Sequence, residues 1–183
     1  MADPRPPAPV LLIAAVFSRH ADALSWARER LEQEYGPAAM TSPAFPFDQT
    51  EYYAAAMGAG LRKQFIAFRE LIAPDRLPGI KLHTNGLERE LAAAGRHPEP
   101  RPVNIDPGYL NLGKFLLATT KDQAHRVYLR DGIYAEVTLR FHAGAFVPWP
   151  WTYADYRQAG VLAFLQECRA WYHERLRAAP AAP

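Results

Sequence analysis

The amino-acid sequence predicts an α+β fold, in which a mixed or mostly antiparallel sheet is packed by about three main helices. Three observations lead to this fold class: a continuous apolar run at residues 10–17, an alternating strand at 133–141, and apolar stripes at helical spacing. The chain has 183 residues, of which 49% are hydrophobic, so it can bury one core of ordinary size. We expect a single globular domain at 10–177 and flexible termini at 1–9 and 178–183.

The three predicted helices each carry one apolar stripe. Residues 21–35 follow Ser18, which is suited to capping a helix, and end before a Gly-Pro pair. Residues 75–94 keep four leucine or isoleucine side chains on one face and end before Gly95. Residues 155–177 carry the longest stripe, rich in aromatic side chains, and we expect it to be buried.

The predicted strands are shorter and are recognised by their alternation and by the turns beside them. At 133–141, apolar residues occupy the odd positions, and Tyr134, Glu136 and Thr138 lie between them. The segment 61–72 fits either a helix or a strand, and the Gly-Ala-Gly turn before it favours a strand. The other extended segments are predicted at 10–17, just before Pro43, and at 50–57, 103–105, 115–119 and near Phe146.

The net charge, the hydropathy and the cysteine content limit which classes of partner and which cellular compartment are expected. The net charge of +2, from 21 basic and 19 acidic residues, does not favour a nucleic-acid partner. The apolar run at 10–17 is far shorter than a membrane span, so no membrane partner is expected. Cys168 is the only cysteine and cannot form an intrachain disulfide, which predicts a cytoplasmic protein.

The sequence lacks the common catalytic and cofactor motifs. It contains no G-x-x-x-x-G-K-[ST], G-x-G-x-x-G, G-x-S-x-G or H-E-x-x-H. The six histidines are scattered without metal-ligand spacing, and one cysteine cannot form a Cys-pair zinc site, so no metal site is predicted. These absences exclude the easily recognised enzyme classes and leave the cofactor and the oligomeric state unassigned.

Candidate ligand-binding residues lie in the polar, turn-rich part of the chain from 81 to 155. A first set follows one face of the helix at 75–94, at steps of three and four: Lys81, Thr84, Asn85 and Glu88. This set is either a solvated helix face or the border of a site, and in the second case Lys81 and Asn85 would bind substrate.

A second set surrounds an Asp-Pro-Gly sequence, which is typical of a β-turn. One interpretation is a well-formed turn with no further role. The other is a strand end that directs Asn104 and Asp106 into a pocket, with Tyr109 as a flat wall. In that case Asp106 is a candidate catalytic acid or base.

A third set combines two hydroxyls with cations at Thr119, Thr120, Lys121, His125 and Arg126. A strand that runs into Thr-Thr-Lys and then into a short helix would hold a phosphate or carboxylate well. The alternative is that Thr119 or Thr120 simply caps that helix.

A fourth set is the polar face of the strand at 133–141. If this face lines a cavity, Glu136 is a candidate acid or base and Tyr134 a substrate-binding residue. If it faces solvent, both are ordinary surface residues. The aromatic residues around Trp151 either pack the last helix or form a platform on which bases stack.

Several runs of residues together resemble the uncharacterised prokaryotic family catalogued as domain of unknown function 4416. They are VNIDPGYL at 103–110, LATTKDQAHR at 117–126, GIYAEVTL at 132–139 and WTY at 151–153, with Lys81, Thr84-Asn85 and Glu88. The resemblance implies a stand-alone protein of about this size and supplies no activity, cofactor or catalytic residue. Ala56 stands where the family pattern has an acidic residue, so this position is a poor catalytic candidate here.

The first functional hypothesis is an enzyme that acts on a phosphorylated or nucleotide-like small molecule. Its anion would be held by Thr119, Thr120, Lys121 and Arg126. Asp106 or Glu136 would transfer a proton, with His125 as an alternative. The other hypotheses are a non-catalytic RNA- or nucleotide-binding module and a protein-interaction scaffold.

The enzyme hypothesis makes one geometric prediction. It requires that five polar side chains from different elements converge on one cavity: Asn104, Asp106, Lys121, Arg126 and Glu136. The alternative is that these charges only pair with one another and stabilise turns. A deep pocket would favour the enzyme, a shallow basic groove the binding module, and an exposed apolar patch the scaffold.

Overall fold

A computed structural model of the protein describes residues 3–178. Within this range nine strands form one sheet: Val10–Ser18 (β1), Ala38–Thr41 (β2), Phe45–Pro46 (β3), Arg62–Ile72 (β4), Asn104–Leu110 (β5), Lys114–Thr119 (β6), Val127–Arg130 (β7), Ile133–His142 (β8) and Ala145–Pro148 (β9). The same residues form four α-helices: Ala21–Tyr35 (α1), Ala54–Met57 (α2), Leu77–Ala93 (α3) and Ala159–Ala178 (α4). No helix in the described range is long and apolar enough to cross a membrane.

The sheet is antiparallel throughout the described residues. Its strand order is β2-β4-β1-β5-β6-β8-β7, with β3 added beside β4 and β9 beside β8. The central strand β1 pairs with β4 on one side and with β5 on the other. The predicted α+β class, with three main helices on a mostly antiparallel sheet, is therefore confirmed, since α2 is only a single turn.

Helices cover the sheet on both faces, and β1 contributes to both layers. Its alternate residues Val10, Leu12, Ala14 and Val16 share one core with α1 and α3. The residues between them, Leu11, Ile13 and Ala15, share the other core with α4. Because side chains alternate along a strand, a strand buried on both faces reads as a continuous apolar run.

The ends of the helices differ from the sequence prediction in two places. Ser18 does not cap α1, because its Oγ accepts the N–H of His20 at 2.9 Å and donates to the carbonyl of Pro102 at 2.6 Å. The last helix begins at Ala159 instead of residue 155. Ala178, predicted in the flexible terminus, still belongs to α4, whereas residues 1–2 and 179–183 of the predicted termini lie outside the described residues.

Two segments predicted from local residue preferences adopt another structure. Residues 50–57 were predicted to be extended, but three consecutive alanines favour a helical turn there, and α2 forms. The Asp-Pro-Gly sequence forms no turn and lies inside β5. Proline is tolerated there because β5 pairs with β6 only from Gly108 onward, so Pro107 faces no strand on that side.

The prediction of a short helix after β6 is also wrong. The described residues there form coil and a turn, and Oγ1 of Thr119 accepts the N–H of Lys121 at 3.2 Å. A single helical turn needs packing to persist, and this exposed segment has no apolar face to supply it. The strand β7 was not predicted, because it is short and lies at an edge of the sheet, whereas β2 lies where a short extended piece was predicted before Pro43.

Candidate functional site

The candidate site forms where two neighbouring strands separate. β5 and β6 pair only through Gly108↔Leu117, Tyr109↔Leu116 and Leu110↔Phe115. Beyond this point β5 continues beside β1, and β6 continues beside β8. The parts of β5 and β6 that do not pair with each other border a cavity of about 410 Å³.

Gly108 permits the close approach at the point of separation. A Cβ atom added there would lie 2.1 Å from the backbone carbonyl oxygen of Leu116. Gly108→Ala is therefore expected to destabilise the protein by about 1–3 kcal/mol or more, as overpacking does. Chemical denaturation would measure this loss.

Gly86→Ala is the matched control for this prediction. Gly86 lies inside α3, and an added Cβ meets no atom within 4 Å. Because alanine is a better helix former than glycine, this change should stabilise the protein by up to about 1 kcal/mol. Equal effects of the two substitutions would show that the close approach at Gly108 is not needed.

Most of the residues predicted to form a site line this cavity. They are Lys81, Asn85, Asn104, Asp106, Thr119, Thr120, Lys121, Arg126 and Glu136. All five side chains of the predicted convergence are among them, although they belong to β5, to β8 and to the segment between β6 and β7. The arrangement satisfies the geometric prediction, while the chemical role of each residue stays a prediction.

Three predicted site residues lie outside the cavity lining. Tyr109 is half-buried against the core that β1 shares with α1 and α3, and against a smaller apolar cluster that includes Leu77 and Leu116. Burial raises the pKa of its hydroxyl. Tyr134 packs edge-on against Tyr128, with the ring centroids 5.3 Å apart. His125 reaches the cavity only through Glu136, whose Oε2 is 3.2 Å from its Nε2. Tyr109 and Tyr134 are therefore corrected from site residues to packing residues.

Asp106 is held at the cavity by donors from two elements. Nζ of Lys81 donates to its Oδ1 at 2.9 Å, and Nδ2 of Asn104 donates to its Oδ2 at 2.7 Å. Burial alone would raise the pKa of Asp106, but Lys81, Lys63 and Asn104 outweigh it and hold the pKa below its ordinary value. The carboxyl group is therefore ionised at neutral pH.

Glu88 and Arg101 connect α3 to β5 behind this carboxylate. Oε1 of Glu88 accepts the N–H of Ile105 at 2.7 Å, and Oε2 accepts Nη2 of Arg101 at 2.7 Å. Arg101 also donates to Oδ1 of Asn104. Burial raises the pKa of Glu88, although Lys81 and Arg101 oppose that effect. Glu88 thus positions β5 and does not itself line the cavity.

Glu136 is the centre of a second ion-pair network. Its Oε2 accepts Nε of Arg126 at 2.8 Å, and both side chains are only 2% exposed. Arg126 also donates to the carbonyl of Lys121 at 3.0 Å and to the hydroxyl of Tyr153 at 2.9 Å. Arg126 therefore orders the segment that carries Lys121 while it neutralises Glu136.

A buried ion pair that the sequence analysis missed also lines the cavity. Nζ of Lys63 donates to Oδ2 of Asp155 at 2.6 Å, and both side chains are 4% exposed. Four aromatic rings surround the ammonium group, with centroids between 4.4 and 5.6 Å away: Phe17, Phe47, Phe65 and Tyr156. Carboxylate and ring faces together stabilise the buried cation.

Two further polar groups at the cavity lack a charged partner within the described range, namely the Tyr156 hydroxyl and the Lys121 ammonium group. Tyr156 is 1% exposed, and its hydroxyl has no hydrogen-bond partner among the described residues. Desolvation raises its pKa well above the ordinary value, so it is a neutral donor. Near the exposed side, Nζ of Lys121 donates to the hydroxyl of Tyr52 at 2.7 Å and contacts no described carboxylate within ion-pair distance.

Comparison with protein families matches residues 8–172 to the family described as Domain of unknown function (DUF4416). The chain belongs to this family. Comparisons with curated proteins and with solved structures each found no significant match. The DUF4416 match spans all nine strands and every cavity residue named above.

The missed ion pair of this candidate site could have been recognised in part from the sequence. Lys63 precedes Phe65 by two positions, so in a strand both side chains point to the same buried face. The uncertain assignment of 61–72 concealed this. Asp155 was interpreted as a helix start and is in fact buried against Lys63. Ala56, where the resemblance implied an acidic residue, is half-buried and accepts the N–H of Arg101 through its carbonyl at 3.0 Å.

Proposed function

We propose that the cavity binds a phosphorylated or nucleotide-like small molecule and that the protein is an enzyme acting on it. The charge of the lining carries this proposal. Five basic side chains line the cavity, namely Lys63, Lys81, Arg101, Lys121 and Arg126. Three acidic side chains, Asp106, Glu136 and Asp155, also line it, and Glu88 pairs with Arg101 from behind. Among the described residues one positive charge, that of Lys121, is left without a carboxylate partner, and a bound phosphate would balance it.

The anion would bind on the Lys121 side of the cavity. Lys121 is exposed, and its ammonium group donates only to the hydroxyl of Tyr52 among the described residues, so its charge is available to a ligand. The hydroxyls of Thr119 and Thr120 border the same cavity, and the Arg101 side chain is 35% exposed there. These groups offer a phosphate several charge-assisted hydrogen bonds.

The remaining part of the ligand would occupy the interior. The neutral Tyr156 hydroxyl needs an acceptor, which a carbonyl or hydroxyl oxygen of the ligand would supply. Asp106 lines the same cavity in its ionised form, and its side chain is 27% exposed against 2% for Glu136. It is therefore the carboxylate that a bound substrate can reach and the proposed proton acceptor, although its pairing with Lys81 lowers its basicity. Glu136 is neutralised by Arg126, so it would orient the ligand.

A non-catalytic RNA-binding module has less support. Trp151, the exposed aromatic residue suggested as a stacking platform, is already stacked on His125 and on Trp149, at 5.3 and 5.2 Å. Arg140 lies over the Trp149 ring at 4.7 Å. A base would have to displace these contacts, whereas the cavity requires no such rearrangement.

Lys121→Met tests the anion site. Thermal unfolding of the wild type is expected to shift upward with AMP or ribose 5-phosphate and not with adenosine or ribose. In Lys121→Met the shift should be lost, while the melting temperature without ligand stays nearly unchanged because no buried carboxylate loses its partner.

The matched control for this experiment is Lys114→Met. Lys114 lies at the other end of β6 and does not line the cavity, so its substitution should leave the ligand-induced shift intact. Equal shifts with phosphorylated and unphosphorylated compounds, or equal responses of the two variants, would contradict the anion site. Mass spectrometry of small molecules that co-purify with the protein would identify the natural ligand.

A further inference from the structure

A second group of chemically active side chains lies outside the cavity, at the start of α1. His20, Asp22 and His97 each bring one ligand atom within 4.8 Å of the others. His97 comes from the irregular segment between α3 and β5, so the fold alone brings the three together. The sequence analysis predicted no metal site from the histidine spacing, and this juxtaposition is the observation that argues against that prediction.

One distance in this group matches the spacing of two metal ligands better than a hydrogen bond. Nε2 of His97 lies 3.5 Å from Oδ2 of Asp22, which is longer than a normal N–H···O bond. Two ligands of a tetrahedral Zn²⁺ with bonds of about 2.0–2.2 Å are separated by about 3.4 Å. The His97 side chain is only 7% exposed, so its position is determined by packing.

The second histidine is already oriented by a carboxylate. Oε2 of Glu99 lies 2.7 Å from Nε2 of His20, which leaves Nδ1 as the ring nitrogen available to a metal. A carboxylate bonded to the outer nitrogen of a histidine is the usual support of a metal-binding imidazole. The rings of His20 and His97 lie face to face, with their centroids 4.3 Å apart.

Nearby positive charge opposes a cation at this place. The N-terminus of α1 carries a partial positive charge, and Nη1 of Arg19 lies 2.9 Å from Oε1 of Glu99. The carboxylates of Asp22 and Glu99 offset both effects. The resulting donor set, two imidazoles and one carboxylate, is one that Zn²⁺ and Co²⁺ accept, with water in the remaining position.

We propose that His20, Asp22 and His97 bind one divalent transition-metal ion of the zinc type, with Glu99 positioning His20. The ion would join the segment between α3 and β5 to the start of α1. The same segment carries Arg101, which lines the cavity. The metal site is independent of the ligand proposed for the cavity.

Isothermal titration calorimetry of the full chain with Zn²⁺ tests this site. One ion is expected to bind per chain at micromolar concentrations, and Co²⁺ should give the visible absorption of a low-coordinate site. His97→Ala should abolish both signals, and Glu99→Gln should weaken binding about 10–100-fold. The exposed His142 lies in β8, far along the chain from this group, and His142→Ala is the control that should bind like the wild type.

Asp22→Asn provides a second test if His97→Ala does not fold, because the Asp22 side chain is 73% exposed. This variant should also lose at least tenfold in affinity. Unchanged binding in Asp22→Asn, or no saturable binding of Zn²⁺ at micromolar concentrations by the wild type, would overturn the proposal.

Discussion

Replacing Lys63 by methionine is expected to lower the free energy of unfolding by about 3–5 kcal/mol. The Lys63 ammonium and the Asp155 carboxylate lie 2.6 Å apart, and each side chain is 4% exposed. Methionine fills most of the lysine volume but leaves the carboxylate buried without its charge partner. Urea-induced unfolding, monitored by tryptophan fluorescence, would measure the loss.

The double variant Lys63→Met/Asp155→Leu is the control for charge. It removes both ions, and an apolar pair in place of a buried ion pair is often neutral or stabilising, so most of the lost stability should return. A single variant that loses less than about 0.5 kcal/mol, as surface positions do, would mean that water reaches this pair.

Phe164→Ala is the second substitution with a large expected effect, again about 3–5 kcal/mol. Phe164 lies on the buried stripe of α4, is 8% exposed and stacks on Phe65 at 6.0 Å. Alanine would leave a cavity between α4 and the sheet that the surrounding strands cannot close. Thermal unfolding of the variant would measure the effect.

Tyr128→Ala is the matched control, because it removes an aromatic side chain that is 56% exposed on the edge strand β7. We expect a change within about 0.5 kcal/mol for this variant. Similar losses of stability in Phe164→Ala and Tyr128→Ala would show that the apolar stripe of α4 does not form a core with the sheet.

The elements that the sequence predicted well are those with a long periodic pattern. The helix α1, the body of α3 and the stripe of α4 follow from apolar residues at helical spacing, and β1 follows from a continuous apolar run. Short segments were predicted less well. Residues 50–57 were assigned the wrong conformation, because a few residues of local preference are easily overridden by contacts elsewhere in the chain.

A β-bulge in β8 shows how register limits a sequence prediction. The alternation at 133–141 predicts one polar face that includes Glu136, Thr138 and Arg140. In the structure Leu116 pairs with Val137 and Phe115 with Leu139, so Thr138 is the extra residue. Glu136 and Thr138 are buried, whereas Arg140 is exposed. The bulge therefore separates side chains that a regular strand would keep on one face.

The sequence by itself determined the fold class, the three main helices and most of the polar residues that line the cavity. These depend on local patterns: apolar spacing for the helices, and polar density at strand ends for the site. Only the tertiary structure decided which charges meet. Lys63 and Asp155 are 92 positions apart, and a buried charge is tolerated only where a distant element supplies its partner. The separation of β5 from β6, which creates the cavity, depends in turn on long-range pairing and on the close backbone approach that Gly108 permits.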